Sequence, residues 1–283
     1  MPVRLHRDVR RAAAALVVAG ALAPGPHANA APVDRFPGAA SAYVVVADGV
    51  PLWGSNADAR LPPASLTKMM TALVVADTAR PDDLVRVSAV AARAHGARMG
   101  LLHGARLRVR DLLAGMMLRS GNDACLALAE HVAGSERRFV ALMNERAAKW
   151  GLEATHFTNA CGFDAPRHVS SAHDLVALAR RLLDAPELAR IVAMDKATIV
   201  DADGRRYALA NTNLLFGVVP GLAGVKTGYT ARAGRCLVGY ARRGTHDVLV
   251  VLLGGSDRWW DAIAMMEQAF ERTAPGAARA RMP

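Results

Sequence analysis

The chain has 283 residues, of which 52% are hydrophobic and 21% charged, so it can bury a sizeable core and is neither disordered nor fibrous by composition. Its formal net charge is +10, spread along the sequence, and aromatic residues make up only 5%. This composition excludes a nucleic-acid-binding protein, which needs a basic helix or an aromatic stacking platform, and favours an anionic polymer or membrane surface as a partner.

The first thirty residues have the three-part layout of a secretory signal. Residues 4–11 contain four arginines, and residues 12–23 form an apolar stretch that is too short to span a bilayer. Ala28-Asn29-Ala30 supplies the small residues that precede a cleavage site. We therefore predict that residues 1–30 are a signal peptide, that the mature chain begins at Ala31, and that the protein is exported to the periplasm or the outer face of the cytoplasmic membrane.

Apolar periodicity in the next part of the chain predicts a hairpin followed by helices. Two short apolar runs, 42–46 and 52–53, flank an Asp48-Gly49 turn and predict paired strands. Apolar residues three and four positions apart predict a helix over 65–77, shortly after Pro62-Pro63. The same helical character predicts four further helices, at 109–118, 122–132, 137–150 and 172–183. We expect the middle of the chain to be all-helical.

Beyond residue 195 the pattern changes to short strands separated by glycine-bearing or polar turns. The predicted strands are 196–200, 206–209, 225–227, 236–242 and 247–253. A helix over 259–272 follows, and residues 273–283 have the composition of a flexible tail. Strands near both chain ends predict one sheet assembled from the two ends, beside a helical lobe, with a site in the cleft between them.

The three cysteines, Cys125, Cys161 and Cys236, allow at most one disulfide and match no zinc-binding pattern. An oxidising compartment permits a Cys125–Cys161 bridge. The sequence nevertheless favours three small, buried, unpaired side chains.

Three short motifs carry the chemistry: Ser65-Leu66-Thr67-Lys68, Ser120-Gly121-Asn122 and Lys226-Thr227-Gly228. The first opens a predicted helix, the second lies in a turn between two helices, and the third lies on a strand. Each motif alone is common, since a serine before an apolar helix is an ordinary N-cap and Ser-Gly-Asn is an ordinary turn. Their joint occurrence in this order and context predicts a site built around a serine nucleophile.

The spacing of the first motif gives the serine a base. Residues three apart on a helix share a face, so the Lys68 amine can reach the Ser65 hydroxyl. A lysine acts as a base only when its amine is neutral, and burial together with a neighbouring cation such as Lys226 lowers its pKa. The helix N-terminus also places the Ser65 amide where an oxyanion would form.

The other two motifs supply groups for the substrate. Ser120 offers a hydroxyl for proton relay, and Asn122 offers an amide that can hold either the substrate backbone or the Lys68 amine. Lys226 and Thr227 provide a cation and a hydroxyl for a substrate carboxylate, so we expect Lys226 to remain protonated. Gly228 allows the backbone of the strand to approach other groups closely.

These motifs and their surroundings closely resemble the low-molecular-mass penicillin-binding proteins of the D-Ala-D-Ala carboxypeptidase family. The resemblance covers residues 40–270 and includes the segments PPASLTKMMTALVV, LLAGMMLRSGNDACLALAEHVAGS, HVSSAHDLVALARRLL and NTNLLFGVVPGLAGVKTGYTARAGRCLVGYA. It implies the penicilloyl-serine transferase fold of β-lactamases and transpeptidases, in the α/β (α+β) class. In this fold an antiparallel sheet flanked by helices lies beside an all-helical lobe, and here the catalytic domain would be residues 31–272.

The resemblance also implies an activity. The family removes the terminal D-Ala from peptidoglycan stem pentapeptides through an acyl-enzyme, in cell-wall biogenesis and shape maintenance. It needs no cofactor or metal, and β-lactam antibiotics inhibit it covalently.

Carried over residue by residue, the resemblance assigns the site. Ser65 would be the acylated nucleophile, Lys68 its base and Ser120 a proton shuttle. The amides of Ser65 and Tyr229 would form the oxyanion hole, and Arg258 would help bind the terminal carboxylate of the substrate. The full substrate-binding set would be Asn122, Lys226, Thr227, Gly228, Tyr229 and Arg258.

Other enzyme classes fit the sequence less well. A class A β-lactamase needs a glutamate in an E-x-x-L-N loop, which is absent, and a Ser-Asp-Asn second motif. A Ser-His-Asp hydrolase would need G-x-S-x-G. A zinc peptidase would need an H-E-x-x-H frame, which the histidines lack, so we expect these histidines at the surface or at helix caps: His95, His103, His168 and His173.

Two alternatives concern the role in the cell wall. A non-catalytic wall-binding module would not require all three motifs. An endopeptidase that cuts D-Ala to diaminopimelate cross-links would use the same residues, and this alternative stays open. The tail TAPGAARARMP has no apolar face, so we expect no stable membrane anchor there.

Overall fold

A computed structural model describes residues 33–273. The expected signal peptide and its cleavage site before Ala31 lie outside the described residues. Of the expected tail, 273–283, only Thr273 is described, and it is the last residue of the closing helix. No helix within residues 33–273 is both long and apolar enough to cross a bilayer.

A five-stranded antiparallel sheet is built from both ends of the described chain, in the order β2-β1-β9-β8-β7. Its strands are β1 (Ala40–Ala47), β2 (Val50–Ser55), β7 (Leu222–Thr230), β8 (Gly234–Arg243) and β9 (His246–Gly255). The prediction of one sheet assembled from the two chain ends is confirmed. The third motif lies on β7, which is an edge strand of this sheet.

The central strands are buried on both faces, which explains their continuous apolar sequence. Val44 and Val46 of β1 face the helical lobe, whereas Tyr43 and Val45 face helix α8 (Arg258–Thr273). This division follows the two-residue period of a strand. The sheet is therefore the middle layer between α8 and the remaining helices.

The helical lobe surrounds α1 (Lys68–Thr78), in which every residue from Lys68 to Val75 is buried. A helix that is apolar all round belongs at the centre of a domain. The helices packed around it include α3 (Val109–Leu118), α4 (Asn122–Ala133), α5 (Glu136–Lys149), α6 (Ala172–Asp184) and α7 (Pro186–Val192). The four helices predicted for this region are confirmed, and the first motif lies at the start of the central helix.

The expectation of an all-helical middle region is wrong in detail. A short ribbon pairs β3 (Leu84–Arg86) with β4 (Arg106–Arg108), and a one-turn helix, α2 (Ala89–Ala92), lies between them. Each of these strands has a single buried apolar residue, so neither is long enough to show a period. Helix α7 was also not predicted.

Two of the predicted strands lie outside the main sheet in which they were expected. β5 (Lys196–Val200) and β6 (Arg206–Ala210) pair only with each other and form a separate ribbon instead of joining the main sheet. Alternating buried and exposed residues predict a strand but do not specify its neighbour, because the partner is chosen by tertiary packing.

The expectation of three unpaired cysteines is wrong. Cys125 on α4 and Cys161 in the loop before α6 form a disulfide, with their Cα atoms 6.0 Å apart. Their separation of 36 residues in sequence conceals this proximity, which arises because the loop packs against α4. Cys236 is unpaired and buried, as expected.

A buried carboxylate holds the loop that leads from α2 towards β4. Asp123, in the first turn of α4, is fully buried. Its oxygens accept hydrogen bonds from the amides of Met99, Gly100 and Leu101 at 2.8–3.0 Å and from Ala124 at 2.9 Å. Backbone donors satisfied in this way would be left without acceptors if the carboxylate were removed.

We predict that Asp123→Ala lowers the free energy of unfolding by about 3 kcal/mol, because three loop amides lose a charged acceptor in a buried position. Urea denaturation of the two proteins measures this difference. Asp184→Ala removes an exposed carboxylate from the end of α6 and is the matched control, expected to change stability by less than about 0.5 kcal/mol. Equal effects of the two substitutions would contradict the assigned role of Asp123.

Candidate active site

A cleft of about 610 Å³ lies where β7 faces the helical lobe. All three sequence motifs contribute to it, although more than fifty residues separate each motif from the next along the chain. The predicted site residues that line the cleft are Ser65, Ser120, Asn122, Thr227, Gly228, Tyr229 and Arg258. Lys68 and Lys226 are fully buried, with exposed fractions of 0% and 1%.

Ser65 lies in a single 3-10 turn, Ala64–Thr67, that precedes α1. The residue at the N-cap of this turn is Pro63, so Ser65 does not have the capping role that an ordinary helix-start serine would have. Ala64 has a positive φ of 48°, which is unfavourable for a residue with a Cβ. Backbone strain of this kind persists only where the surrounding structure enforces it, and it often occurs at functional sites.

The Lys68 amine contacts three oxygen atoms. Its Nζ lies 2.9 Å from Ser65 Oγ, 2.8 Å from Asn122 Oδ1 and 2.6 Å from the carbonyl oxygen of Cys161. Asn122 Oδ1 and the carbonyl can only accept hydrogen bonds, whereas the serine hydroxyl can also donate one. A neutral amine satisfies this arrangement fully, because its two protons go to the two acceptors and its lone pair receives the serine proton.

The electrostatic environment favours the neutral form of this lysine. Burial lowers the pKa of Lys68 well below its ordinary value of 10.5, and the charge of Lys226 lowers it further. The Asp123 carboxylate acts in the opposite direction as a smaller effect. The arrangement can therefore transfer the Ser65 proton to a neutral lysine, which is the condition that the sequence analysis required.

The second motif lies on the opposite wall of the cleft. Ser120 ends the turn after α3 with a positive φ of 57° and points a nearly buried side chain at the cleft. Asn122 accepts a hydrogen bond from Lys68 and donates one from Nδ2 to the carbonyl of His95 at 2.7 Å. The Asn122 amide thus joins the lysine to the 95–97 loop, which favours the second of its two expected roles.

Lys226 lies in an environment that disfavours its charged form. Its Nζ donates to the carbonyl of Thr227 at 3.0 Å, and burial lowers its pKa to about 7, with the Arg258 guanidinium as a further cause. The protonated form of Lys226 is therefore costly in the unliganded protein, and the expectation that it stays protonated remains a prediction. An anion bound beside it would raise the pKa again and restore the charge.

Gly228 allows β7 to approach the 3-10 turn Ala64–Thr67, which we call the nucleophile turn after the role expected of Ser65. A Cβ at this position would lie 3.1 Å from the Ser65 amide nitrogen and 3.2 Å from the carbonyl oxygen of Pro63. The next residue, Tyr229, projects its ring outwards with an exposed fraction of 66%. This packing brings the backbone of β7 at residues 228–229 next to the Ser65 amide.

Arg258, the first residue of α8, reaches the cleft from behind the sheet. Its Nη1 donates to the carbonyl of Gly228 at 2.6 Å and to that of Cys236 at 3.3 Å. Its Nε has no hydrogen-bond partner among residues 33–273. The structure thus places this arginine at the cleft, where its charge adds to the effect of burial in lowering the pKa of Lys226.

Several residues of the cleft were missed in the sequence. The Cys161 carbonyl that binds Lys68 has no sequence signature, because any residue can supply a carbonyl. The rings of His95 and Phe163 stack with centroids 4.3 Å apart, and Asp164 accepts a hydrogen bond from Thr230 at 2.6 Å. Each of these contacts joins segments that no local pattern connects.

The expectation that four histidines lie at the surface or at caps is wrong for one of them, His168. This residue is 2% exposed, and burial lowers its pKa to about 4. Its Nδ1 accepts from the Thr158 amide at 3.0 Å, so the proton is on Nε2, which lies 2.8 Å from Thr67 Oγ1. Thr67 in turn donates to the carbonyl of Ala64 at 2.8 Å, so a neutral histidine braces the nucleophile turn.

Comparisons with known proteins agree with this geometry. A sequence profile of the family described as D-alanyl-D-alanine carboxypeptidase matches residues 31–257. The chain is 35% identical to D-alanyl-D-alanine carboxypeptidase DacF of Bacillus subtilis over 243 residues, which is 83% of this chain and 62% of that protein. It is 39% identical to D-alanyl-D-alanine carboxypeptidase DacC of Escherichia coli over 222 residues, which is 74% of this chain and 54% of that protein.

A solved structure is also similar over most of the chain. The D-alanyl-D-alanine carboxypeptidase from Mycobacterium tuberculosis H37Rv superimposes with a TM-score of 0.79 at 32% identity, covering 88% of this chain and 96% of that one. The chain spans less than two thirds of the length of the two curated relatives above.

Proposed function

The chain belongs to the D-alanyl-D-alanine carboxypeptidase family and has its penicilloyl-serine transferase fold, and on that premise we propose that it is a serine DD-peptidase. It would remove the terminal D-Ala from peptidoglycan stem pentapeptides. The observation that carries this proposal is the buried Lys68 amine, 2.9 Å from the Ser65 hydroxyl and with a depressed pKa. Family membership alone does not assign the activity, since related folds support several chemistries.

Acylation follows from the positions of these groups. Neutral Lys68 accepts the Ser65 proton as Oγ attacks the carbonyl carbon of the penultimate D-Ala. The oxyanion that forms is stabilised by the amides of Ser65 and Tyr229, which Gly228 brings near each other. The proton that Lys68 took is relayed through the Ser120 hydroxyl to the nitrogen of the leaving D-Ala as the C–N bond breaks, which returns Lys68 to its neutral form. An ester on Ser65 remains until water hydrolyses it.

The carboxylate of the terminal D-Ala would bind at the cationic end of the cleft. Lys226 and Arg258 provide the positive charge, and Thr227 Oγ1 provides a hydroxyl that also contacts Thr212 Oγ1 at 2.7 Å. Because burial makes the protonated form of Lys226 costly, the anion and the lysine charge stabilise each other. A substrate without a free carboxylate would lose this interaction.

We also propose that the protein works outside the cytoplasm. The N-terminal sequence has the layout of a cleavable signal, and the Cys125–Cys161 disulfide fits an oxidising compartment. Export with cleavage would give a mature protein that begins at Ala31, which N-terminal sequencing of the exported chain measures. Active exported protein that still begins at Met1 would contradict cleavage.

We predict that benzylpenicillin adds one drug mass to the protein and that the adduct maps to Ser65, because the lactam amide presents a carbonyl like that of the D-Ala-D-Ala bond. Intact-mass and peptide mass spectrometry check this. Ser65→Ala should form no adduct, and an adduct that persists in this variant would exclude Ser65 as the nucleophile.

Incubation of the wild-type protein with purified peptidoglycan distinguishes the carboxypeptidase from the endopeptidase. Loss of monomeric pentapeptides with release of D-Ala supports the carboxypeptidase. Loss of cross-linked dimers without loss of pentapeptides would contradict the carboxypeptidase and support the endopeptidase.

The two lysines should respond differently to replacement by arginine. Lys68→Arg cannot provide a neutral base and should reduce the rate of penicillin acylation by about 10²–10⁴-fold. Lys226→Arg keeps the charge near the substrate carboxylate and should be much milder. A near-normal rate for Lys68→Arg together with an inactive Lys226→Arg would show that the base lies elsewhere.

The pH dependence of kcat/KM for a D-Ala-D-Ala peptide follows from the same pKa values. Activity needs neutral Lys68, present above its depressed pKa, and charged Lys226, present below a pKa of about 7. The profile should therefore fall on both sides of its optimum. In Lys226→Arg the alkaline decline near pH 7 should disappear, because arginine stays charged.

A further inference from the structure

The two acceptors that fix the Lys68 amine come from different parts of the chain. Asn122 Oδ1 belongs to the first residue of α4, and the carbonyl oxygen of Cys161 belongs to the loop between α5 and α6. The lysine position therefore depends on how this loop sits against α4. The disulfide joins these same two segments.

The disulfide is close to both acceptors along the chain. Cys125 lies three residues after Asn122 on α4, so the two side chains are on the same face of the helix. Cys161 is itself the residue whose carbonyl accepts a hydrogen bond from the Lys68 amine. Both cysteines are buried, with exposed fractions of 0% and 1%.

Hydrogen bonds, in addition to the disulfide, hold the loop between α5 and α6 in its conformation. Asn159 Oδ1 accepts hydrogen bonds from the amides of Cys161, Gly162 and Phe163 at 2.7–3.2 Å. The Ala160 amide donates to Glu136 on α5, and the Ala160 carbonyl accepts from Thr71 on α1. These contacts tie the loop to itself, to α5 and to α1, whereas the disulfide ties it to α4.

Reduction would change the spacing between the two segments. Bonded sulfur atoms lie about 2 Å apart, whereas two thiol sulfurs remain at a van der Waals separation of more than about 3.5 Å. In a close-packed interior the sulfurs have little room to separate by side-chain rotation alone, so Cys161, α4 or both would have to shift. Catalytic groups need their positions held to within about 0.5 Å, so the Lys68 contacts would be disturbed.

We propose that the Cys125–Cys161 disulfide is a positioning element for the lysine base, and that the oxidised protein acylates faster than the dithiol form. The inference rests on the proposed function, because acylation of Ser65 is its readout. Reduction by a small dithiol breaks the S–S bond with two electrons and two protons, gives two thiols, and leaves the reagent as a cyclic disulfide. The enzyme would thus reach full activity only in an oxidising compartment.

The experiment compares full-length wild type with the double variant Cys125→Ala/Cys161→Ala. The second-order rate of acylation by a fluorescent penicillin is measured from pH 4 to pH 9. We expect the rate near neutral pH to fall at least about tenfold in the double variant, since misplacement of about 1 Å can cost more than this. We also expect the acid limb of the profile to move to higher pH, because a loosened, better hydrated Lys68 has a higher pKa.

Cys236→Ala is the matched control, because Cys236 is also buried but unpaired. It keeps the bridge, so its rate of acylation should still fall on reduction and recover on reoxidation. Dithiothreitol should lower the wild-type rate towards that of the double variant, reoxidation should restore it, and the double variant should not respond. The response to dithiothreitol tests the proposal even if the double variant does not fold.

Two results would overturn the inference. One is a reduced wild type or double variant that is folded by circular dichroism and acylates at the oxidised wild-type rate with an unchanged acid limb. The other is alkylation of three thiols in the unreduced, denatured exported protein, which would show that the bridge does not form. Failure of the oxidised wild type to form any penicillin adduct would instead contradict the proposed function.

Discussion

The burial of one amine organises the catalytic side of this protein. Lys68 is the first residue of the central helix and is enclosed by the nucleophile turn, α4 and the loop that contains Cys161. A charged ammonium would be costly here, and neutralisation relieves that cost. The same packing that builds the helical lobe therefore also favours the neutral amine that the proposed base requires. Neither property can be changed without affecting the other.

The second buried lysine adds an electrostatic constraint. Lys226 lowers the pKa of Lys68, and Arg258 lowers that of Lys226, so positive charges are gathered on one side of the cleft. Without an anion this arrangement is unfavourable, because like charges are close and poorly hydrated. A ligand carboxylate would relieve both effects. The unliganded cleft is thus electrostatically complementary to the terminal group of the proposed substrate.

Backbone geometry brings these groups together at some local cost. Ala64 and Ser120 both have positive φ. Ala64 directly precedes Ser65, and Ser120 lies two residues before Asn122, and both Ser65 and Asn122 contact Lys68. A side chain at Gly228 would press on the nucleophile turn, and His168 supports that turn from the protein interior through Thr67. Strained residues of this kind are retained where surrounding contacts enforce them.

The sequence by itself determined the main elements and the chemistry-bearing motifs. Apolar periodicity located the central helix, the helices around it and the strands of the sheet, because these patterns reflect burial of one or both faces. Spacing of three residues placed Lys68 beside Ser65, since that relation is local to one helical turn. The order of the three motifs indicated the family and, through it, the partners of this pair.

Only the tertiary structure decided what depends on contacts between distant segments. It paired Cys125 with Cys161 across 36 residues, placed β5 and β6 in their own ribbon, and buried His168. It also selected a backbone carbonyl as an acceptor for Lys68 and lowered the pKa of Lys226. The physical reason is the same in each case: burial and carbonyl position are properties of packing, and a single sequence does not show which segments will pack together.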